Sequence, residues 1–232
     1  MFGLNSGDQV LVVAPHPDDE TLGAGGTIAR LTAAGIAVHV LAIVCTAQPR
    51  WGTTTNPQRR RDEFEAACDV LGVSGRDIAW ADDNHAHHPS CHTADLVRLI
   101  EAGPHLSLTA LSATALLMPA AGAFHQDHQL VHQAAYAAAR PSGALRSWPR
   151  VVLGVHGPED HAWSPATRRA CVLVDISDTS VVKDKALACY AGELRPSDHP
   201  RSVERIRALD TATGAAIGVE RAEAFVPYRM AW

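Results

Sequence analysis

Between positions 15 and 20 the chain reads Pro15-His16-Pro17-Asp18-Asp19-Glu20, which packs an imidazole and three carboxylates into one short segment. That is a metal-site composition. The two prolines restrict the backbone, and adjacent aspartates on an irregular turn can point in different directions, one binding metal while its neighbour faces a metal-bound water. The plainer reading is that Asp18 or Asp19 only caps a following helix, where acidic groups suit the positive end of the dipole. A cap needs no imidazole, so His16 weighs against it. A zinc site with an open coordination position takes three protein ligands, so a further ligand must come from elsewhere. His125-Gln126-Asp127-His128 is the segment that offers one. On a helical turn His125 and His128, three apart, share a face, which lets one bind metal and the other meet a substrate. Polar surface is the plainer alternative here too.

Chemistry of this kind needs rigid supports. Gln9–Ala14 is a short, β-branched, nearly continuous apolar run, the pattern of a strand buried on both faces of a parallel sheet. The pattern then predicts a helix over Thr21–Ala34, a strand over Val38–Cys45 and a helix over Pro57–Leu71 that Gly72 is placed to end. It continues with a weaker strand near Ile78–Ala81, a helix over Thr93–Glu101, a strand over Ala115–Met118, a helix over Gln126–Arg140 and a fifth strand over Val151–Val155. Alternation of this sort implies an α/β fold: a Rossmann-like, mostly parallel sheet with helices on both faces, as a single domain over residues 1–232. In such sheets ligands bind at the carboxyl ends of the strands. Both motifs sit there, one after the first strand and one after the fourth. The polar loops Thr46–Pro57 and Asp82–His92 follow strands as well and would overhang the same site.

Bulk properties narrow the partners. At 232 residues, 47% hydrophobic and 19% charged, the chain has enough apolar content for a full-sized core. Neither a run approaching the ~20 apolar residues of a membrane span nor a basic-then-apolar leader is evident, which predicts a cytoplasmic protein without a membrane partner. Five scattered cysteines with no C-x-x-C spacing read as reduced and packed. A net charge of −5, with Arg59-Arg60-Arg61 as the only dense cationic run, argues against nucleic acid.

With both motifs placed, the chain closely resembles the PIG-L, or LmbE-like, family of zinc-dependent N-deacetylases. The family's A-H-P-D-D-E after the first strand stands here as Pro15 to Glu20. Its H-P-D-H-x-x-V-x-x-A is similar to His125 to Ala134, with Gln126 in place of the usual proline. Arg60-Arg61-Asp62-Glu63 leading to Leu71-Gly72-Val73 looks like the family's R-x-x-E helix before L-G-V, and Gly218 to Phe225 matches a G-x-x-x-A-E-x-F ending. Where many members carry an H-x-S-Q-like segment this chain has Tyr190-Ala191-Gly192-Glu193, which points to a specialised substrate rim.

The resemblance implies His16, Asp19 and His128 as ligands of Zn2+, with Fe2+ or Co2+ as other divalent options. It makes Asp18 the general base, His125 an electrophilic helper, protonated when it meets the oxyanion, and Asp127 the group that orients a histidine ring. Arg60, Glu63 and Asp82 fall where the family places substrate-contacting or site-bracing groups. The implied reaction is hydrolytic removal of an N-acetyl group from an N-acetylglucosaminyl-type, aminoglycoside or antibiotic substrate, an N-acetylated sugar or glycoside; a homo-oligomer stays open.

Three other readings compete. An amidase could cleave a larger amide, such as a thiol conjugate. A non-catalytic metal-binding module would keep the fold without turnover. A nucleotide-binding module is suggested by Gly23-Ala24-Gly25-Gly26, but Ile28 stands where G-x-G-x-x-G needs its last glycine, and glycines there also serve close helix-to-sheet packing. The His85, His87, His88, Cys91 and His92 cluster reads as a solvated loop before it reads as a second metal site.

Overall fold

The computed structural model describes residues 1–47, 49–50, 53–81, 92–141, 147–164 and 172–231. The strands are β1 (Gln9–Ala14), β2 (Ala37–Val44), β3 (Pro49–Arg50), β4 (Thr53–Thr54), β5 (Gly75–Trp80), β6 (Ala115–Pro119), β7 (Val151–Val155), β8 (Val172–Asp175) and β9 (Ala222–Met230). The helices are α1 (Asp19–Ala33), α2 (Pro57–Leu71), α3 (Thr93–Ala102), α4 (Gln126–Ala138), α5 (Pro158–Trp163), α6 (Ser180–Cys189) and α7 (Val203–Ala215). Seven strands form one sheet in the order β5-β2-β1-β6-β7-β9-β8, and β3 and β4 form a separate two-stranded ladder. The first five strands of that order run parallel, whereas β9 is antiparallel to both β7 and β8.

Burial on both faces explains the near-continuous apolar strands. In β1, Val10 and Val12 join a core with Ile28 and Leu31 of α1 and Phe64 and Leu71 of α2, while Leu11 and Val13 join one with Leu96 and Ile100 of α3 and Val131 and Ala135 of α4. The result is a helix-sheet-helix sandwich whose middle layer has no polar face. Cys45 and Cys68 are buried in it as free thiols, and desolvation raises both thiol pKa values. Inert packing cysteines behave this way.

Local signals set the helix ends. Asn56 accepts the backbone N–H of Arg59 at 3.0 Å, Pro57 supplies a pre-set first turn, and Gly72 closes α2 in the left-handed region at φ 73°. The glycines of α1 prove to be packing residues. A Cβ on Gly26 would lie 2.7–2.8 Å from Ile176, and one on Gly23 would lie 2.8 Å from the carbonyl oxygen of His156. Only bare backbone lets α1 approach β7 and the segment after β8 this closely, which is the packing reading of the glycine run.

The chain leaves β1 toward β2 on one side, while β6 and β7 lie on the other side of β1. A crevice opens at such a reversal, outside the carboxyl ends of the two central strands. Residues 15–20 follow β1 and residues 120–128 follow β6, so the topology delivers both motifs to that crevice.

Candidate metal centre and active site

The turn after β1 is strained. Asp18 has φ 114°, a region that side-chain-bearing residues rarely occupy. Its backbone N–H donates to Glu20 Oε2 at 3.1 Å, and Glu20 Oε1 accepts from the Thr21 and Tyr190 hydroxyls, both at 2.6 Å. Glu20, 2% exposed, is thus a buried brace: its carboxylate holds the amide of the strained residue, and α6's carboxyl end, through Tyr190, holds Glu20.

Three side chains converge beside it. His16 Nε2 lies 2.9 Å from Asp127 Oδ2 and its Nδ1 lies 3.3 Å from Asp19 Oδ2, while His128 Nε2 is 3.1 Å from the same Asp19 oxygen. A carboxylate accepts only from an N–H, so Asp127 fixes a proton of His16 on Nε2 and leaves Nδ1, which faces Asp19 and His128, as the nitrogen a metal ion would take in exchange for a proton. Ligand atoms of His16, Asp19 and His128 lie within 4.8 Å of one another. A cavity of about 20 Å³ beside them is lined by Asp19, His128, Pro15, Pro119 and Gly157. His16, His125 and Asp127 form a second candidate group. That group is already committed elsewhere, because Asp127 binds His16 and His125 Nδ1 accepts the N–H of Asp127 at 3.1 Å. Two nitrogens and one carboxylate oxygen on rigid supports fit a zinc-type ion with room for further ligands.

The electrostatics favour positive charge at this point. Burial pushes the His16 pKa down, but the Asp127 and Asp19 carboxylates outweigh it and raise it to about 9. Burial would raise Asp19, yet His128 and His16 hold it well below the usual carboxylate range. Asp18 moves the other way. Burial raises it to about 7, against Arg201 and with the neighbouring Asp19 adding to the rise. Arg201 Nη1 donates to Asp18 Oδ2 at 2.9 Å, and its Nε donates to Glu159 at 2.6 Å. Asp18 Oδ1 is buried without a hydrogen-bond partner among the described residues, so one oxygen is clamped and the other is available.

His125 is the N-cap of α4 in extended conformation, immediately before the expected helix start at Gln126, and its ring reaches within 5.5 Å of the His128 ring and 5.1 Å of the His16 ring. Its Nδ1 already accepts a backbone N–H, and burial together with the charges of His16 and His128 lowers its pKa. With Nδ1 occupied as an acceptor, the ring presents Nε2 as its donor nitrogen. Arg60 is buried with Nε 3.2 Å from Glu193 Oε1, and its charge acts on both His16 and Asp18. Glu63 accepts the Gly192 N–H at 3.0 Å and Arg59 Nε at 3.0 Å, bracing the turn after α6. Asp82 and the cluster from His85 to Cys91 lie outside the described residues.

Sequence reasoning overlooked Arg201, Glu159 and Tyr190. Arg201 lies 183 residues from its carboxylate partner in a polar loop, and nothing in spacing marks it. Tyr190 had a signal, since it stands at the start of the segment that departs from the family pattern.

A sequence-family description, PIG-L: GlcNAc-PI de-N-acetylase, matches residues 11–139, from β1 through the end of α4 and including both motifs. The chain belongs to the PIG-L family. The PIG-L relatives include the 2'-N-acetylparomamine deacetylase of Streptomyces fradiae, 30% identical over 154 residues that cover 59% of this chain and 54% of that protein. Another is the 1D-myo-inositol 2-acetamido-2-deoxy-alpha-D-glucopyranoside deacetylase of Corynebacterium glutamicum, 30% identical over 162 residues, 58% of this chain and 53% of that protein. Against these two the chain spans about half of the relative's length. Among solved structures, a conserved protein of Thermus thermophilus superposes with a TM-score of 0.73 at 26% identity, covering 96% of each chain. The A40926 pseudoaglycone deacetylase gives 0.75 at 23% identity over 96% of this chain and 98% of that one. The 4-carboxy-2-hydroxymuconate hydratase GalB of Pseudomonas putida also shares the fold, with a TM-score of 0.71 at 19% identity over 95% and 96%. A PIG-L fold therefore does not by itself fix the reaction.

Proposed function

We propose that this PIG-L protein is a metal-dependent hydrolase that removes an acetyl group from the nitrogen of an amino-sugar glycoside. The observation that carries the reading is the pairing of two functions at one point: three convergent ligand atoms from His16, Asp19 and His128, and beside them the available, buried Oδ1 of Asp18. The deacetylases among the relatives support the choice of bond.

A divalent ion held by His16, Asp19 and His128, zinc in our reading, supplies Lewis acidity, which makes an amide carbonyl more electrophilic and a water more acidic. The chain's own groups do the rest. Asp18, with one oxygen clamped by Arg201 and a pKa near neutrality, takes the proton of the attacking water on Oδ1 and later returns it to the departing amine nitrogen. His125, held by the backbone N–H of Asp127, aims its Nε2–H at the oxyanion that forms as the carbonyl is attacked. Arg60 and Glu193 lie buried in the surrounding wall as one ion pair.

The test is an acetate-release screen over N-acetylglucosamine, N-acetylated disaccharides and N-acetylated aminoglycosides, with metal-stripped and zinc-reloaded protein. Acetate appears only with the reloaded protein. Release of a larger acid in preference to acetate would favour the amidase reading, and equal turnover by verified metal-free protein would end the mechanism.

A further inference from the structure

Three rings form a continuous row: Phe124 and Trp163 pack edge-to-face with centroids 5.2 Å apart, and Trp163 meets His199 edge-on at 5.3 Å. Phe124 is 54% exposed and Trp163 46%, an unusual exposure for two large rings in contact. Each end of the row is tied to the candidate active site. Phe124 precedes His125, and its N–H is fixed by Asp160 at 2.7 Å. His199 Nδ1 accepts the N–H of Arg201, whose guanidinium holds Asp18.

Trp163 also walls a groove of about 410 Å³ together with His161, Asp198, Pro200 and Arg205. The groove adjoins the metal centre along the chain. Gly157 lines the cavity at Asp19 and His128, the next residue, Pro158, lines the groove, and α5 runs from there to Trp163, about 9 Å at the helical rise. A flat indole beside a carboxylate and a guanidinium matches the two kinds of surface on a hydroxylated ring, an apolar C–H face and a polar rim of hydroxyls. A purely aryl group would have no use for Asp198 and Arg205.

We infer that this groove is a subsite for the second ring of the substrate, a sugar or cyclitol joined to the acetamido sugar, which stacks a C–H face on Trp163 and hydrogen-bonds through Asp198 and Arg205. The inference rests on the deacetylase reading for the first ring and extends it to the glycoside's other half. It makes the enzyme selective for glycosides over free N-acetylglucosamine.

The experiment compares N-acetylglucosamine with N,N'-diacetylchitobiose and 2'-N-acetylparomamine, by calorimetric binding and by acetate release, in the wild type, Trp163→Ala, Trp163→Phe and the control Ile217→Ala, a similarly exposed apolar residue outside the row. Trp163→Ala should weaken binding of at least one two-ring ligand roughly three- to tenfold more than binding of N-acetylglucosamine. The loss should appear in KM rather than kcat, with Trp163→Phe retaining most of the affinity and the control unchanged. Equal effects on one-ring and two-ring ligands, or no effect on any, would overturn the subsite. A protein that binds two-ring ligands in a Trp163-dependent way yet releases no acetate keeps the subsite and loses the deacetylase reading. Acetate release indifferent to Trp163 does the reverse.

Discussion

Asp18 and His128 share one cluster but have separable jobs, and substitution should separate them. Asp18→Asn keeps the three ligand atoms and removes the base, so metal content by elemental analysis should stay near one equivalent while turnover falls by about 10²–10⁴-fold. His128→Ala removes a ligand, so metal content itself should fall. Normal turnover in Asp18→Asn would refute the base assignment. Asp127 acts at one remove: it touches His16 Nε2 and fixes which nitrogen faces the ion. Asp127→Asn should therefore cost about 10–100-fold in metal affinity, read by competition with a chelating dye. An unchanged affinity would show that the ring is held by its surroundings without the carboxylate.

The helix that carries Asp19 and Glu20 is held in place from below by a residue near the other end of the chain. Glu223 of β9 accepts the N–H groups of Gly26 at 2.9 Å and Thr27 at 2.7 Å, both from the middle of α1, and also pairs with Lys183 of α6 at 2.9 Å. This gives a physical reason for the A-E-x-F ending: Ala222 and Phe225 are buried in the core, and Glu223 pins the helix bearing the motif. Close approach is the condition for that contact. Gly26→Ala would push a Cβ against the branched side chain of Ile176, so we expect a loss of about 1–3 kcal/mol of stability, read as a lower urea midpoint. A midpoint within error of the wild type would mean that the segment after β8 can retreat freely.

The C-terminal part of the chain is joined to the sheet by a buried charge network, and that network sets a pH dependence for the entire fold. Lys183 is fully buried between Asp210 at 3.0 Å and Glu223 at 2.9 Å, and Arg221 reaches Asp210 at 2.9 Å. Burial lowers the Lys183 pKa, but Glu223 and Asp210 outweigh it and raise it above 10.5. A pKa raised on folding contributes stability that is fully present below the unfolded value and disappears as pH climbs through the folded one. Lys183→Met should thus be less stable than the wild type at neutral pH by about 1–3 kcal/mol, since Asp210 keeps only Arg221 and Glu223 only the N–H groups of Gly26 and Thr27. That gap, read from urea midpoints, should narrow in strongly alkaline solution, where the wild-type ammonium loses its proton. A gap that stays constant through that alkaline range would show that the ammonium's charge does not carry the effect.

How much of this was written in the sequence follows from the range of each interaction. Near-continuous apolar runs, helical spacing and Gly72 are local signals, and they marked β1, β2, α2 and the two-faced core, with Pro57–Leu71 and Val151–Val155 matching to the residue. Both motifs were legible because a metal site needs specific donor types packed close together, and strand ends told where they would meet. The antiparallel strands β8 and β9 and the helices α5 to α7 carried weaker periodicity and went unread. Tertiary structure alone decided the remainder: that Arg201 clamps Asp18, that Tyr190 and Glu20 hold a strained turn, that His125 spends one nitrogen on a cap and presents the other as a donor. Each of these depends on where one polar atom lies relative to another that is distant in the chain or turned by the backbone. Residue types name the partners such an atom accepts, and only the folded chain selects among them.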